Sequence, residues 1–559
     1  MLKDLQKFFS ERDDQNIIAI ILVGSISWIL TMFRSGSCLD ANCTSGIGFW
    51  GANGHDGIWH ISLANSLSQG KFNLPIYSGA SIKNYHIGFD LLLALIHKIT
   101  FISLIDLYFK FMPIVISLSI GSLVYRLLRD LKWNNSQIFW SLFFVYFGGN
   151  FALGFGGEST FWSQQSISTL INPPFALSLI FILAGLIFLQ QKKLLLSAIL
   201  FGLLIQIKAY ASVVVLGSLF IIAIWQFYKL KKTYLLKIFF ISIFISAVIF
   251  LPFNLHANSL FEFRPFWFLE TMMQFPDRVG WTKFGEAMVN YKLAGNLIKG
   301  IPAYFLAFVI FFYGNMGTRF LFEFFILKPK VLKTKFDQVE IILLLSILIG
   351  ISTPMFFVQH GTAWNTLQFF YYSLFFSGIL SGYIFSEIIS TKANYKYKKM
   401  FIVALVILTL HTSFKSLKDI YLTSRPPAKV SKLELSALEF LSDQPDGTIL
   451  IAPFDRQKAD LATANPPRPL YLYESTAYVS AFSGKQVFLE DEVNLDITGV
   501  DWQSRRKEVE DYFKSPDKQF LEKNAINYIY LVGDSSIESA KFGLKMIYDS
   551  EDVKILKYD

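Results

Sequence analysis

Two cysteines, Cys38 and Cys43, are all that the 559 residues contain, too few to be checked against any disulfide framework. Both follow the first apolar run. On an oxidising side they close a small ring, and otherwise they stand as two separate thiols. Charge is sparse as well: Asp, Glu, Lys and Arg make up 17% of the chain against 53% hydrophobic and 17% aromatic residues, and mean hydropathy is +0.43. That balance belongs to a chain solvated by a bilayer. No cleavage site of the signal-peptide kind precedes the first apolar run, Ile17 to Phe33, so this run is expected to stay as a helix. No clear internal repeat is visible. The net charge of +9 does not point to nucleic acid, because Lys and Arg come in small clusters between apolar runs, which is how membrane topology is written.

Crossing a hydrocarbon core of about 30 Å takes roughly 20 apolar residues, fewer where neighbouring helices shield the span. After the first run, candidates follow at Phe111 to Tyr125, Ile138 to Phe155, Pro173 to Leu189, Leu194 to Ile207, Ala209 to Phe227, Ile238 to Phe253, Ile301 to Gly317, Ile341 to Val358, Leu367 to Phe385 and Met400 to Leu410. The sum is about eleven crossings. With a cytoplasmic amino terminus, all six inner segments are basic: Lys3 to Arg12, Arg126 to Lys132, Lys192 and Lys193, Lys229 to Lys237, Lys328 to Lys335, and Lys392 to Lys399. The short outer connections hold one basic residue, Lys208, which is the asymmetry of the positive-inside rule. An odd number of crossings then places the carboxyl terminus outside.

Two outer segments are long, Arg34 to about Leu104 and Asn254 to Gly300. "FEFRPFWFLETMMQF", Phe261 to Phe275, reads as a helix lying in the interface with its rings at headgroup depth. All seven histidines map to the outer face. From about residue 417 the pattern turns soluble. Leu433 to Leu441 and Trp502 to Phe513 read as helices, and Thr448 to Ala452, Gln486 to Leu489, Ile526 to Val532, Leu544 to Asp549 and Val553 to Tyr558 as strands. The expected architecture is a polytopic α-helical membrane domain over 1–416 and a small extracytoplasmic α/β domain over 417–559, with no catalytic signature in the latter.

"GANGHDGIWHISLANSL", Gly51 to Leu67, places His55, Asp56 and His60 within six residues of an outer loop. On a helix Asp56 and His60, four apart, share a face, whereas His55 and His60 diverge by roughly 140°. The pair suits a carboxylate general base with an imidazole that orients it or the substrate, or part of a metal site. Two ligands do not make a metal site, and His256, His360 and Glu158 cannot be gathered beside them from sequence. No cofactor is assigned, and a divalent metal is left open. The bland reading of His55 and His60 is interfacial packing beside Trp59.

An acid in the first outer loop, followed by "YHIGFDLLLALIHKITFISLIDLYFKFMPIVISLSIGSLVYRLLRDL" from Tyr85 to Leu131, resembles the polyprenyl-phosphate-sugar glycosyltransferases of the C-type membrane fold. Members carry a Tyr-Pro-Pro-Gly-Phe-His kind of motif. Here Tyr85, Gly88 and Phe89 match it, while His86 and Ile87 replace the prolines and Asp90 the histidine. The resemblance covers most of the membrane part. It implies a sugar arriving on a lipid carrier within the bilayer, and Asp56 as the acid that deprotonates or orients the acceptor.

The departing lipid phosphate gains charge as the glycosidic bond breaks, so cations at the outer interface would stabilise the transition state. Lys208, at the tight turn in "IQIKAYASV", and Arg264 are the candidate clamps, against a reading as snorkelling side chains. Glu158, flanked by glycines, is a second candidate catalytic acid or else a solvated loop charge. Trp364 and Gln368, one helical turn apart, suit a sugar face and its hydroxyls, and an aromatic belt explains Trp364 equally. His55, His60, Tyr85 and His86 complete the expected substrate-binding set. The reading is a plasma-membrane glycosyltransferase that moves a sugar from a polyprenyl-phosphate donor to a glycan, lipid or protein acceptor on the outer face. The alternative is a lipid or glycan flippase, whose polar groups would gather near the midplane.

Overall fold

In lipid a helix satisfies its backbone groups internally, and the computed structural model is mostly helical. It describes residues 13–153, 156–254, 261–327, 337–359, 363–391, 395–535, 537 and 543–558. His256, His360, Lys3, Lys7, Arg12, Phe155, the lysines at 328, 330, 333 and 335, and Lys392 lie outside these residues. Each of the eleven apolar runs overlaps a helix, the first ending at Ile29 rather than Phe33. Eight helices among the described residues are long and apolar enough to cross a membrane, from Leu104–Asp130 to Tyr397–Tyr421. The other three runs form shorter helices, Asp13–Ile29, Asn135–Phe147 and Leu194–Ile207. The run expected to continue to Phe155 stops at Phe147, where Gly148 and Gly149 break the helix. A Cβ on Gly148 would stand 2.6 Å from the Phe144 carbonyl oxygen.

The chain divides into two compact units. One comprises Met1–Leu30, Ile114–Pro252 and Asn258–Ile420; the other comprises Thr31–Pro113, Phe253–Ala257 and Tyr421–Asp559. In the first, small residues let helices approach closely, as expected where no hydrophobic force drives helix association. A Cβ on Gly382 would fall 2.1 Å from Ser141 N, and Ser141 Oγ donates to Ile379 O at 2.7 Å. Gly350 plays the same part against Phe369, with Ser373 Oγ donating to Ile347 O at 2.7 Å. Tyr146 ties three helices together: Trp28 Nε1 donates to its carbonyl at 3.0 Å, and its hydroxyl donates to Ser117 O at 2.8 Å. The segment read as one interfacial helix is instead a strand, Phe261–Phe263, paired antiparallel with Phe357–Gln359, followed by the six-residue helix Leu269–Gln274. Pro265 explains the break, because its ring removes a donor that a continuous helix needs.

The second unit holds two four-stranded sheets. The larger runs Thr448–Ile451, Ile526–Val532, Val553–Tyr558, Leu544–Asp549; its first pair is parallel and the others antiparallel. Three of these strands match the apolar runs read from sequence to the residue. Gln486–Leu489 does not form a strand; it makes a single bridge, Val487 with Ile449, while Val487 N donates instead to Pro75 O at 2.8 Å. The smaller sheet joins Ser37–Cys38, Ile47–Phe49, Ala428–Val430 and Arg468–Pro469. Residues after the first helix therefore hydrogen-bond directly with residues beyond Tyr421. Cys38 and Cys43 form a disulfide.

Candidate active site

The site residues named from sequence fall in both units: His55, Asp56, His60, Tyr85 and His86 in the second, and Glu158, Lys208, Arg264, Trp364 and Gln368 in the first. Asp56 opens the helix Asp56–Ser68, where unsatisfied backbone N–H groups favour a carboxylate. The preceding turn is fixed by buried Asn53, whose Nδ2 donates to Thr31 O at 3.0 Å and Ser35 Oγ at 2.8 Å. Asp56 is 46% exposed, with His55 Nε2 3.6 Å from its Oδ1. His55 Nδ1 is buried without a hydrogen-bond partner among the described residues.

Helical spacing paired Asp56 with His60, and the structure corrects this. His60 Nδ1 lies 2.7 Å from Asp90 Oδ1, with both side chains buried. His60 turns inward, against Phe89 and Tyr108, because its helix is buried nearly all round and shared-face geometry sets direction without selecting the partner. The nearer histidine, His55, is the neighbour of Asp56. Tyr85 accepts from Trp59 Nε1 at 2.9 Å and stacks on His86 with centroids 4.7 Å apart.

An acid that the sequence reading passed over joins this group. The Asp56–Ser68 helix packs on the short helix Tyr478–Ser483 through Ser62 Oγ and Ser480 Oγ at 2.8 Å and through Asn65 Nδ2 to Ala481 O at 2.9 Å. Glu490 accepts from Val479 N, Ser480 N and Ser480 Oγ at 2.8, 3.1 and 2.8 Å. Its neighbour Asp491 is buried, in left-handed backbone with φ of 53°. Burial pushes the Asp491 carboxyl up to about 6; His55 pulls the other way, and Asp56 adds to the rise. Asp491, His55 and Asp56 thus share one electrostatic neighbourhood. The signal was in "VFLEDEV", where three consecutive acids sit in apolar sequence.

In the first unit, Lys208 caps the helix Ala209–Leu230 and is buried. Its Nζ lies 3.4 Å from Asn172 Oδ1 and 5.2 Å from the Tyr210 ring centroid. Asn172 Nδ2 donates to Gln368 Oε1 at 3.2 Å, so Lys208 and Gln368 belong to one polar chain. Trp364 goes elsewhere, stacking on Trp162 at 3.7 Å between centroids, and Arg278 covers the same Trp162 ring at 4.3 Å. Arg264 is 60% exposed and pairs with Glu262 at 2.9 Å.

Glu158 is buried, not solvated. It accepts from Ser168 Oγ at 2.6 Å and Ser416 Oγ at 3.4 Å, and burial still raises its carboxyl to about 7. Below the free-carboxyl value of 4.5, folded and unfolded chains are both protonated here. Between 4.5 and about 7 only the unfolded chain ionises, so stability falls as pH rises, and above 7 the full cost is present. Glu158→Gln is therefore expected to stabilise the protein at pH 8 by on the order of 3 kcal/mol and to change it little at pH 4. Thermal melting at both pH values checks this; equal shifts would contradict it.

Among the described residues no three of His, Cys, Asp and Glu gather as a set that could hold a metal ion.

No family model and no curated protein matches the sequence. Among solved structures, the chain is similar to the arabinofuranosyltransferase AftD from Mycobacteria, with a TM-score of 0.51 and 12% identity over 96% of this chain and 39% of AftD. The chain thus spans well under half the length of that protein. It also aligns, with a TM-score of 0.49 and 12% identity, with the oligosaccharyltransferase AglB from Archaeoglobus fulgidus solved with an inhibitory peptide and a dolichol-phosphate, over 93% of this chain and 70% of AglB. A third alignment, with ArnT from Cupriavidus metallidurans bound to undecaprenyl phosphate, has a TM-score of 0.36 and 10% identity over 97% of both chains. The likeness to AftD defines the fold: it is the C-type fold of membrane glycosyltransferases, in a polytopic helical chain.

Proposed function

We propose that this chain is a glycosyltransferase that moves a sugar from a polyprenyl-phosphate carrier to an acceptor on the outer face of the plasma membrane, its amino terminus cytoplasmic and residues 417–559 extracytoplasmic. The observation that carries the reading is a half-exposed carboxylate, Asp56, held at a helix start beside a histidine in a C-type fold. The acceptor hydroxyl gives its proton to Asp56 while its oxygen attacks the anomeric carbon. The bond from that carbon to the phosphate oxygen breaks, and its electron pair leaves with the lipid phosphate. His55 orients the Asp56 carboxylate, and Tyr85 and His86 flank the entering substrate.

Lys208 is assigned to the phosphate. A buried ammonium makes charge-assisted bonds to a phosphate oxygen, which are about twice as strong as neutral ones. Gln368 positions Lys208 through Asn172, Arg264 meets the headgroup, and the Trp162–Trp364 stack offers an aromatic face to sugar or prenyl chain. Glu158 serves as an auxiliary acid, because its raised value leaves it partly protonated near neutral pH. No step here requires a resident metal.

The test is transfer from a set of synthetic polyprenyl-phosphate sugars, read as released polyprenyl phosphate. Lys208→Met should lower kcat/KM by on the order of 10²-fold, with Lys208→Arg recovering part of it. Unchanged kinetics in Lys208→Met would remove this residue from the mechanism.

A further inference from the structure

A cavity of about 1100 Å³ opens within residues 451–535 of the second unit. It is as large as the larger small-molecule sites, which run to roughly 1,000 Å³. The sequence showed no catalytic signature in this region. The cavity's walls combine two chemistries. Tyr471, Tyr473, Trp502 and Phe513 present ring faces, and Asp455, Glu474, Glu490 and Asp491 present carboxylates.

The charge balance excludes one class of occupant. Three cations line the space, Arg456, Lys458 and Arg506. Arg506 is held by Glu492 and by Glu510 at 2.7 Å, and Lys458 faces Asp534 at 3.5 Å. Burial pushes the Glu490 carboxyl up to about 8, so it adds little charge near neutral pH, and Arg456 is left beside Asp455, Glu474 and Asp491 in the cavity wall. A phosphate or carboxylate entering this field is repelled, so the cavity does not suit the anionic donor lipid. Rings beside carboxylates suit a sugar: its C–H faces lie on aromatic rings and its hydroxyls donate to carboxylate oxygens.

Thr476 is a further residue of the wall. It is 95% buried, yet its Oγ1 has no hydrogen-bond partner among the described residues. Buried hydroxyls are paired in nearly all proteins, so a ligand hydroxyl would gain this one where the wall shifts to admit it. Asp491, which lines the cavity, is also in the electrostatic field of His55 and Asp56.

We propose that this cavity binds a neutral or amino-bearing oligosaccharide, the acceptor glycan, and hands its reactive hydroxyl towards Asp56. The acceptor role rests on the glycosyltransferase reading above; the glycan binding does not. Trp502 supplies the stacking face, Thr476 and Glu474 bind hydroxyls, and the excess of acid rejects uronic and phosphorylated glycans.

The full chain in lipid nanodiscs is titrated calorimetrically with neutral trisaccharides of glucose, mannose, galactose and N-acetylglucosamine, a chitosan trisaccharide and a hyaluronan tetrasaccharide. Binding by at least one neutral or amino probe and none by hyaluronan is expected. Trp502→Ala should weaken that binding at least tenfold, and Glu474→Gln and Thr476→Val threefold or more, with melting temperatures checked for each. Binding of hyaluronan alone, binding of no probe, or unchanged affinity in all three variants overturns the proposal. So does binding only of a neutral tripeptide run as a control. Asp56→Asn is titrated in parallel. Glycan binding that survives in a variant with full transfer activity sinks the base and spares the cavity, whereas loss of transfer without any glycan binding does the reverse.

Discussion

Asp56→Asn is expected to lower transfer from a polyprenyl-phosphate sugar by on the order of 10²–10⁴-fold, the range associated with a positioned general base, with little change in melting temperature. The amide keeps the size of the carboxylate and its place at the start of Asp56–Ser68, so backbone packing through Asn53, Ser62 and Asn65 is untouched. What it loses is the capacity to take the acceptor proton. Some stability is lost with the charge, because an acid in a first helical turn contributes about 0.3–1 kcal/mol, but that is small against the kinetic effect. His55→Gln should produce a smaller loss, since it removes the orienting neighbour at 3.6 Å and leaves the base. Steady-state kinetics of both variants against one donor tests the order of effects. Full activity in Asp56→Asn would reject the assignment, and a larger loss in His55→Gln would transfer the role to the histidine.

Asp90→Ala is expected to destabilise the protein by about 3 kcal/mol or more. His60 and Asp90 meet at 2.7 Å with side chains 7% and 0% exposed, and breaking a buried pair by removing one member leaves the other without compensation. His60 lies against Phe89 and Tyr108. The double variant His60→Phe with Asp90→Leu, which fills the space with apolar rings and branches, should recover most of the loss, because replacing both members of a buried pair is often neutral. Thermal melting of the three proteins decides the matter. A single variant as stable as the parent, or a double variant no better than the single, would show that the pair does not hold this helix in place.

The sequence made the helical architecture legible because hydrocarbon imposes one solution: each of the eleven apolar runs overlaps a helix, and eight of these helices among the described residues are long and apolar enough to cross a membrane. It was less able to show where a helix must end. The third stops at Phe147, and just beyond it Gly149 packs so close that a Cβ there would meet Thr409 O at 2.9 Å and Thr412 at 3.0 Å, a crowding that involves residues more than 250 positions away. "FEFRPFWFLETMMQF" carried an interfacial composition, but pairing with Phe357–Gln359 and the ring of Pro265 decided its shape. Strands such as Ile526–Val532 were readable from β-branched and aromatic runs flanked by turns.

The site was half legible. Asp56 stood out by position and His55 by adjacency, but helical periodicity assigned the acid to His60. Asp90, thirty residues on, was visible only as a departure from the family motif. Asp491 was marked locally only as one of three consecutive acids in "VFLEDEV", which says nothing of its partners; the fold brings it within the field of His55 and Asp56, beside the packing of Ser480 on Ser62. Lys208 was legible because a lone cation between two apolar runs is costly, and its burial follows.

Native mass spectrometry of lipid that copurifies with the protein and with Asp56→Asn tests the central claim most directly. A transferase that draws its sugar from a lipid carrier should bring down bare polyprenyl phosphate with the parent and the glycosylated carrier with the blocked variant. Bulk phospholipid alone in both samples, with no prenyl-phosphate species at any mass, would contradict it.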